Sequence, residues 1–154
     1  MNLSKEIRYI FLVFCALSFY SYGTAMMDYF LVYPSRFLIG EKEFIVYHKL
    51  LEAAIWPISV IPFLVIISLN AFLLTKALSK ELRKLLLVSL SLLILDFLST
   101  ILLQAPWNEQ LSAGKNIVLM QKISDTNWGR VFLETAQVGV VFKLLVNFNS
   151  SQKQ

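Results

Sequence analysis

From Tyr9 to Met27 the chain runs without a single charge, and three further runs of the same kind follow it. A water-soluble core has no need of four such stretches, whereas a helix crossing the ~30 Å hydrocarbon layer of a bilayer needs about 20 apolar residues. The pattern predicts spans over about 9–33, 44–75, 85–104 and 128–148. Four crossings use most of 154 residues, which predicts one transmembrane domain over 1–154 and excludes a large extramembrane one. Composition agrees: 57% of residues are hydrophobic and 16% charged, against roughly 25% charged in a soluble domain. The fold class is therefore all-α, an integral membrane four-helix bundle.

Each span has its own punctuation. The first continues past Asp28 through Tyr29 and Tyr33 to Pro34. A rival reading makes Met1–Arg8 and Tyr9–Tyr20 a signal peptide cleaved near Gly23-Thr24-Ala25. The second is uncharged from Ala53 and carries Pro57 and Pro62, which remove backbone donors and should kink or loosen its outer half. The third is leucine-rich and reads as stopped by Ala105-Pro106-Trp107. The fourth contains Arg130, Glu134, Gln137 and Lys143 and needs its neighbours to insert; Asp125, Thr126 and Asn127 are candidate caps for a start near Trp128. Between Pro106 and Asn127, the helical spacing of Ile117, Met120 and Ile123 predicts a short amphipathic helix in the outer loop between helices three and four. Trp107 and Trp128, with Tyr29, Tyr33, Phe44 and Tyr47, suit an interfacial aromatic belt.

The formal charge of +4 invites a nucleic-acid reading, but the cations sit between the apolar runs and form no stripe, so nucleic acid is not an expected partner. They read as topology signals. Lys5, Arg8, Lys76, Lys80, Arg83, Lys84, Lys143 and Lys153 fall on one side, and the tight cluster from Lys76 to Lys84 predicts that both termini are cytoplasmic. Cys15, the sole cysteine, lies in an apolar run and reads as a small buried hydrophobe.

Charged groups inside a span are expensive and usually face the bundle interior. Here their spacing is the informative feature. Tyr20, Thr24 and Asp28 fall on one stripe of the first helix, His48 and Glu52 on the second, Asp96, Thr100 and Gln104 on the third, and Arg130, Glu134 and Gln137 on the fourth. At ~1.5 Å per residue, Asp28 lies ~29 Å from the start of its span and Asp96 ~18 Å beyond Lys84, so all four stripes can meet in the outer half of the membrane. That predicts a polar pocket opening outward, with Arg130 as its anchor for a carboxylate. The plainer readings are an i, i+4 ion pair for Arg130 and Glu134, interhelical hydrogen bonds for Asp96, Thr100 and Gln104, a solvated boundary for His48 and Glu52, and a structural role for Asn70.

Three stretches resemble a family of small four-helix integral membrane proteins that includes the anthrone-oxygenase-like proteins. Asp28-Tyr29-Phe30-Leu31-Val32-Tyr33-Pro34 is similar to the aromatic end of that family's first helix, and Glu43-Phe44-Ile45-Val46-Tyr47-His48 to the entry of its second. Thr100, Gln104, Pro106 and Leu111, then Asn127-Trp128-Gly129-Arg130 and Glu134-Thr135-Ala136, are similar to a third motif. The resemblance implies four helices, a bacterial inner (plasma) membrane location, and oxygenation of an electron-rich aromatic or polyketide-like molecule.

Three function classes fit this pattern. In an enzyme, His48 would be the general base, Arg130 would stabilise a developing enolate or phenolate oxygen, and Glu52 or Asp96 would orient the base. Asp28, Asp96, Thr100, Gln104, Asn127, Trp128 and Glu134 would line the ligand. A single histidine excludes a bis-His haem or three-His zinc built from this chain alone, leaving a mononuclear iron or manganese site at His48 with Glu52, Asp96 and Glu134. The second class is a non-catalytic scaffold or interaction protein clamped by its polar stripes. The third is a proton- or cation-linked transporter, which needs a polar path toward the cytoplasm, where only Asn70, Ser89 and Ser91 are available. The expected partners are the bilayer, a small lipophilic ligand and further copies of the chain.

Overall fold

A computed structural model describes residues 4–77 and 79–150; Lys153 lies outside them. Four helices run up and down: α1 (Lys5–Leu38), α2 (Glu41–Lys76), α3 (Lys80–Leu111) and α4 (Ile117–Ser150). All four are long and apolar enough to cross a membrane, which supports a multi-pass integral membrane protein. They close a ring in which α1 packs on α2 and α4, and α3 on α2 and α4. Short connections enforce this antiparallel order. Ser4 and Ser79 cap α1 and α3 by accepting from the amides of Ile7 and Leu82. At the other end, Lys115 Nζ donates to the carbonyls of Phe37 and Ile39, completing the end of α1. The turn into α4 needs Gly114, whose φ of 149° is closed to most side chains.

The helices are longer than the uncharged runs. At ~1.5 Å per residue, the 32 residues of α3 measure ~48 Å against ~30 Å of hydrocarbon. Most charges lie toward the helix ends, with Asp28, Asp96, Arg130 and Glu134 inside the apolar runs. Two ends result. The basic end, where both termini lie, holds Lys5, Arg8, Lys76, Lys80, Arg83, Lys84 and Lys143 against Glu6 and Glu81. The opposite end balances its cations with Glu41, Glu43, Glu52, Glu109 and Asp125. Each end has its own apolar core. Toward the basic end, Phe11, Phe14, Ile66, Leu86, Val141 and Leu144 pack together with Cys15, which is buried as its apolar setting predicts, and Phe11 stacks on Phe148 at 4.5 Å. At the opposite end, Tyr33, Phe44, Leu111, Met120 and Ile123 form a cap.

The cap corrects three expectations. Ile117, Met120 and Ile123 do lie on a helix, but as the first turns of α4, not as a separate element. The cap residue of that helix is Asn116, whose Oδ1 accepts from the Leu119 amide, so Asp125, Thr126 and Asn127 are interior positions. Tyr33 and Phe44 are buried in the cap core, not placed in an interfacial belt.

Pro106 does not stop α3. Three helices carry a widened π turn, at Asp28–Val32, Trp56–Val60 and Thr100–Gln104. In each, a proline follows as the second residue beyond it: Pro34, Pro62 and Pro106. Proline lacks an amide hydrogen and its ring presses on the carbonyl four residues back; the wider turn moves that carbonyl aside and the helix resumes. One such carbonyl, that of Ile58, takes the Tyr20 hydroxyl at 3.0 Å instead. α4 has no proline and no wide turn. Gly23-Thr24-Ala25, the cleavage site of the rival reading, lies within the continuous helix of α1.

Candidate functional site

A polar seam climbs the α3–α4 interface from mid-bundle to the cap. Its lowest level joins all four helices. Asn70 Nδ2 donates to Ser89 Oγ at 2.7 Å, and Gln137 Nε2 reaches Ser18 Oγ at 3.3 Å and Ser89 Oγ at 3.4 Å. All four side chains are buried, so this clamp replaces hydration that the bilayer cannot supply. Asn70 Oδ1 is buried without a hydrogen-bond partner among the described residues.

Two turns of α3 higher, Arg130 occupies the centre. Its Nε donates to Asp96 Oδ1 at 3.2 Å, its Nη1 to Asn127 Oδ1 at 3.4 Å, and its Nη2 lies 3.6 Å from Glu134 Oε1. The guanidinium thus spreads over partners on both α3 and α4, a geometry its planar fork permits and a lysine does not. Asp28 and the Tyr33 hydroxyl, both from α1, lie near enough to interact electrostatically with Arg130. Asp28 has no ion pair among the described residues. Of the stripes read from the sequence, Asp28, Asp96, Arg130 and Glu134 meet at this level, and the Arg130–Glu134 spacing is used, whereas Tyr20 bonds the Ile58 carbonyl on α2 and Thr24 the Ser21 carbonyl of its own helix.

Above this, Gln104 Nε2 donates to Thr126 Oγ1 at 3.2 Å. Thr100 turns back to its own helix, bonding the Asp96 carbonyl at 3.0 Å. Trp128 faces outward, half-exposed, with its ring 4.4 Å from that of Tyr29.

His48 and Glu52 do not join Arg130. His48 Nε2 faces two acceptors, the Asn108 carbonyl at 2.9 Å and Glu52 Oε1 at 3.3 Å, so its hydrogen sits on Nε2. Its Nδ1 is buried without a hydrogen-bond partner among the described residues, and the ring lies parallel to Phe44. Glu52 also accepts from Ser112 at 3.1 Å. This second cluster belongs to the cap, where Arg36 Nη1 donates to Asn108 Oδ1 at 2.8 Å.

The metal expectation fails. Among the described residues no three of His, Cys, Asp and Glu are gathered to hold an ion. His48 and Glu52 are engaged at the cap, while Asp96 and Glu134 turn toward Arg130, so the mononuclear site read from the sequence is not formed.

Residues that sequence reasoning passed over prove central. Asn108 links both clusters, receiving Arg36 and His48 and donating to the Gln104 carbonyl at 2.9 Å. The sequence hides it, because Pro106 reads as the end of the helix. Ser18 and Ser112 carry no signal beyond their type. Hollows lie at the basic end: one of about 10 Å³ between Phe11, Leu73, Leu86 and Phe148, and a surface groove of about 250 Å³ along Lys5, Arg8, Tyr9 and Leu12. No family model, no curated protein and no solved structure matches the chain. What stands of the resemblance is its architecture, an all-α bundle of four helices of membrane-spanning length.

Proposed function

We propose that this chain is a non-catalytic membrane scaffold or interaction protein, a single transmembrane unit of the bacterial inner membrane with both termini in the cytoplasm. The observation that carries this reading is the seam itself: Arg130, the only cation within it, is divided among Asp96, Asn127 and Glu134. A binding site keeps its polar groups turned to a ligand; these are turned to one another, as groups that specify a helix arrangement are. The basic cluster from Lys76 to Lys84 supports the orientation. Transport is less well supported, because the seam ends at the Ser18–Asn70–Ser89–Gln137 clamp, below which Phe11, Phe14, Leu86 and Leu144 close the bundle.

A second reading keeps a small aromatic or lipophilic ligand near Arg130, as a bound or oxidised molecule. It is favoured by Glu134 Oε2 and Gln104 Oε1, both buried with no hydrogen-bond partner among the described residues. Native mass spectrometry of the gently extracted protein separates the two. The scaffold predicts no mass above the 17.7 kDa chain whose retention depends on Glu134, a phospholipid held elsewhere being unaffected by that residue, and an Asp96→Asn variant that melts at a lower temperature with its mass spectrum otherwise unchanged. An added organic mass that vanishes in Glu134→Gln, with the melting temperature held, would overturn it in favour of the ligand.

A further inference from the structure

The charges at the basic end are unspent. The ion pairs of Arg130 and the His48–Glu52 contact are the close acid–base contacts among the described residues, and among those residues none of the seven basic side chains at this end has an acidic partner within ion-pair distance. Its two acids, Glu6 and Glu81, accept from the neutral donors Ser4 and Asn147 and keep their charge, so seven cations stand against two anions. A rim with that cationic excess at the edge of a membrane bundle faces lipid headgroups, and anionic ones complement it.

One part of this rim is shaped as well as charged. Lys5, Arg8, Tyr9 and Leu12 line the groove of about 250 Å³ on α1. Their spacing of three, four and seven residues places them on one helical face, spread over ~10 Å along the axis. Tyr9 and Leu12 are 59% and 45% exposed, so this face is not used in packing the bundle. Read from the end inward, the groove offers two cations, then an aromatic ring with a hydroxyl, then an aliphatic wall. A phospholipid presents its phosphate, its glycerol esters and its acyl chain in the same order.

We propose that this groove binds one anionic diacyl phospholipid, with the phosphate held by Lys5 and Arg8 and the first acyl segment lying on Tyr9 and Leu12. Two cations at roughly 1 kcal/mol each near an anionic surface correspond to about a 25-fold preference over a zwitterionic lipid. The test uses the full chain in nanodiscs of phosphatidylcholine doped with phosphatidylglycerol, reading bound lipid by native mass spectrometry. The expected result is saturation at one phosphatidylglycerol per chain, about 25-fold loss of that preference in Lys5→Gln/Arg8→Gln, retention in Lys5→Arg/Arg8→Lys, and no change in Lys42→Gln/Lys49→Gln at the opposite end. An unchanged preference in the glutamine variant overturns the site. So does an equal loss in the control pair, which would mean diffuse charge, or displacement of the lipid by inorganic phosphate, which would mean a soluble anion. If the glutamine variant does not fold, wild-type titration decides alone: enrichment that rises in proportion to lipid without saturating overturns the proposal.

Discussion

Replacing Arg130 by methionine lowers the unfolding free energy by about 3–5 kcal/mol. The reason is what remains behind. Asp96 is 2% and Glu134 6% exposed, and without the guanidinium each carboxylate keeps its desolvation cost and loses its counter-charge. A neutral hydrogen bond of the Gln137 kind averages only ~0.6 kcal/mol in a membrane protein, so it cannot compete in size. The same logic predicts rescue. Arg130→Met combined with Asp96→Leu and Glu134→Leu removes the uncompensated charges together and recovers most of the loss. Reversible unfolding in bicelles, run as a mutant cycle over the three sites, measures both. A single variant as stable as wild type would mean that water reaches the seam freely.

The second large effect is at the cap. Phe44→Ala is expected to cost about 3–5 kcal/mol locally, because Phe44 is wholly buried among Tyr33, Leu111, Met120 and Ile123, beside the charged stretch Glu41-Lys42-Glu43. If water is the competing solvent at this charged end, the full hydrophobic term applies. Phe14→Ala, equally buried in the other core, should cost less, since between helices in lipid the hydrophobic driving force is absent and packing alone is lost. Hydrogen exchange by mass spectrometry distinguishes the sites. Phe44→Ala should raise exchange in 33–48 and 105–123 while 61–75 and 85–96 stay protected. Uniform deprotection of all four helices would show that cap and bundle melt as one unit.

The number and order of the helices were legible because uncharged runs of span length have one physical meaning. The helix ends were not. Charge marks where hydrocarbon stops, not where a helix stops, so α3 and α4 reach Leu111 and Ile117 instead of Gln104 and Trp128. That Arg130 anchors a carboxylate, and that Glu134 stands one turn from it, was legible from depth and spacing; that Asp96 on α3 is the hydrogen-bonded partner was not. The grouping of His48 with them failed because Asn108, which holds it, sits beyond a proline that reads as a breaker. No periodicity shows that a π turn will absorb that proline.

The wide turns also decide which face each helix presents above and below them. On α3 the buried positions Asp96 and Gln104 are eight residues apart, as are Ala25 and Tyr33 on α1. In an unbroken α-helix eight residues overshoot two turns by about 80°, and one of each pair would point to lipid. A π turn takes up one residue, so the eight count as seven and fall within about 20° of the same line. α4, with no such turn, keeps its buried side by spacing alone, from Met120 through Ile123, Asn127 and Val131 to Leu144. The helices therefore differ in tolerance to length. Losing one residue from Thr100–Gln104 turns a π turn into an α turn with the phase preserved, whereas the same loss inside α4 rotates everything beyond it by about 100° and unseats Arg130 from Asp96 or Leu144 from its core.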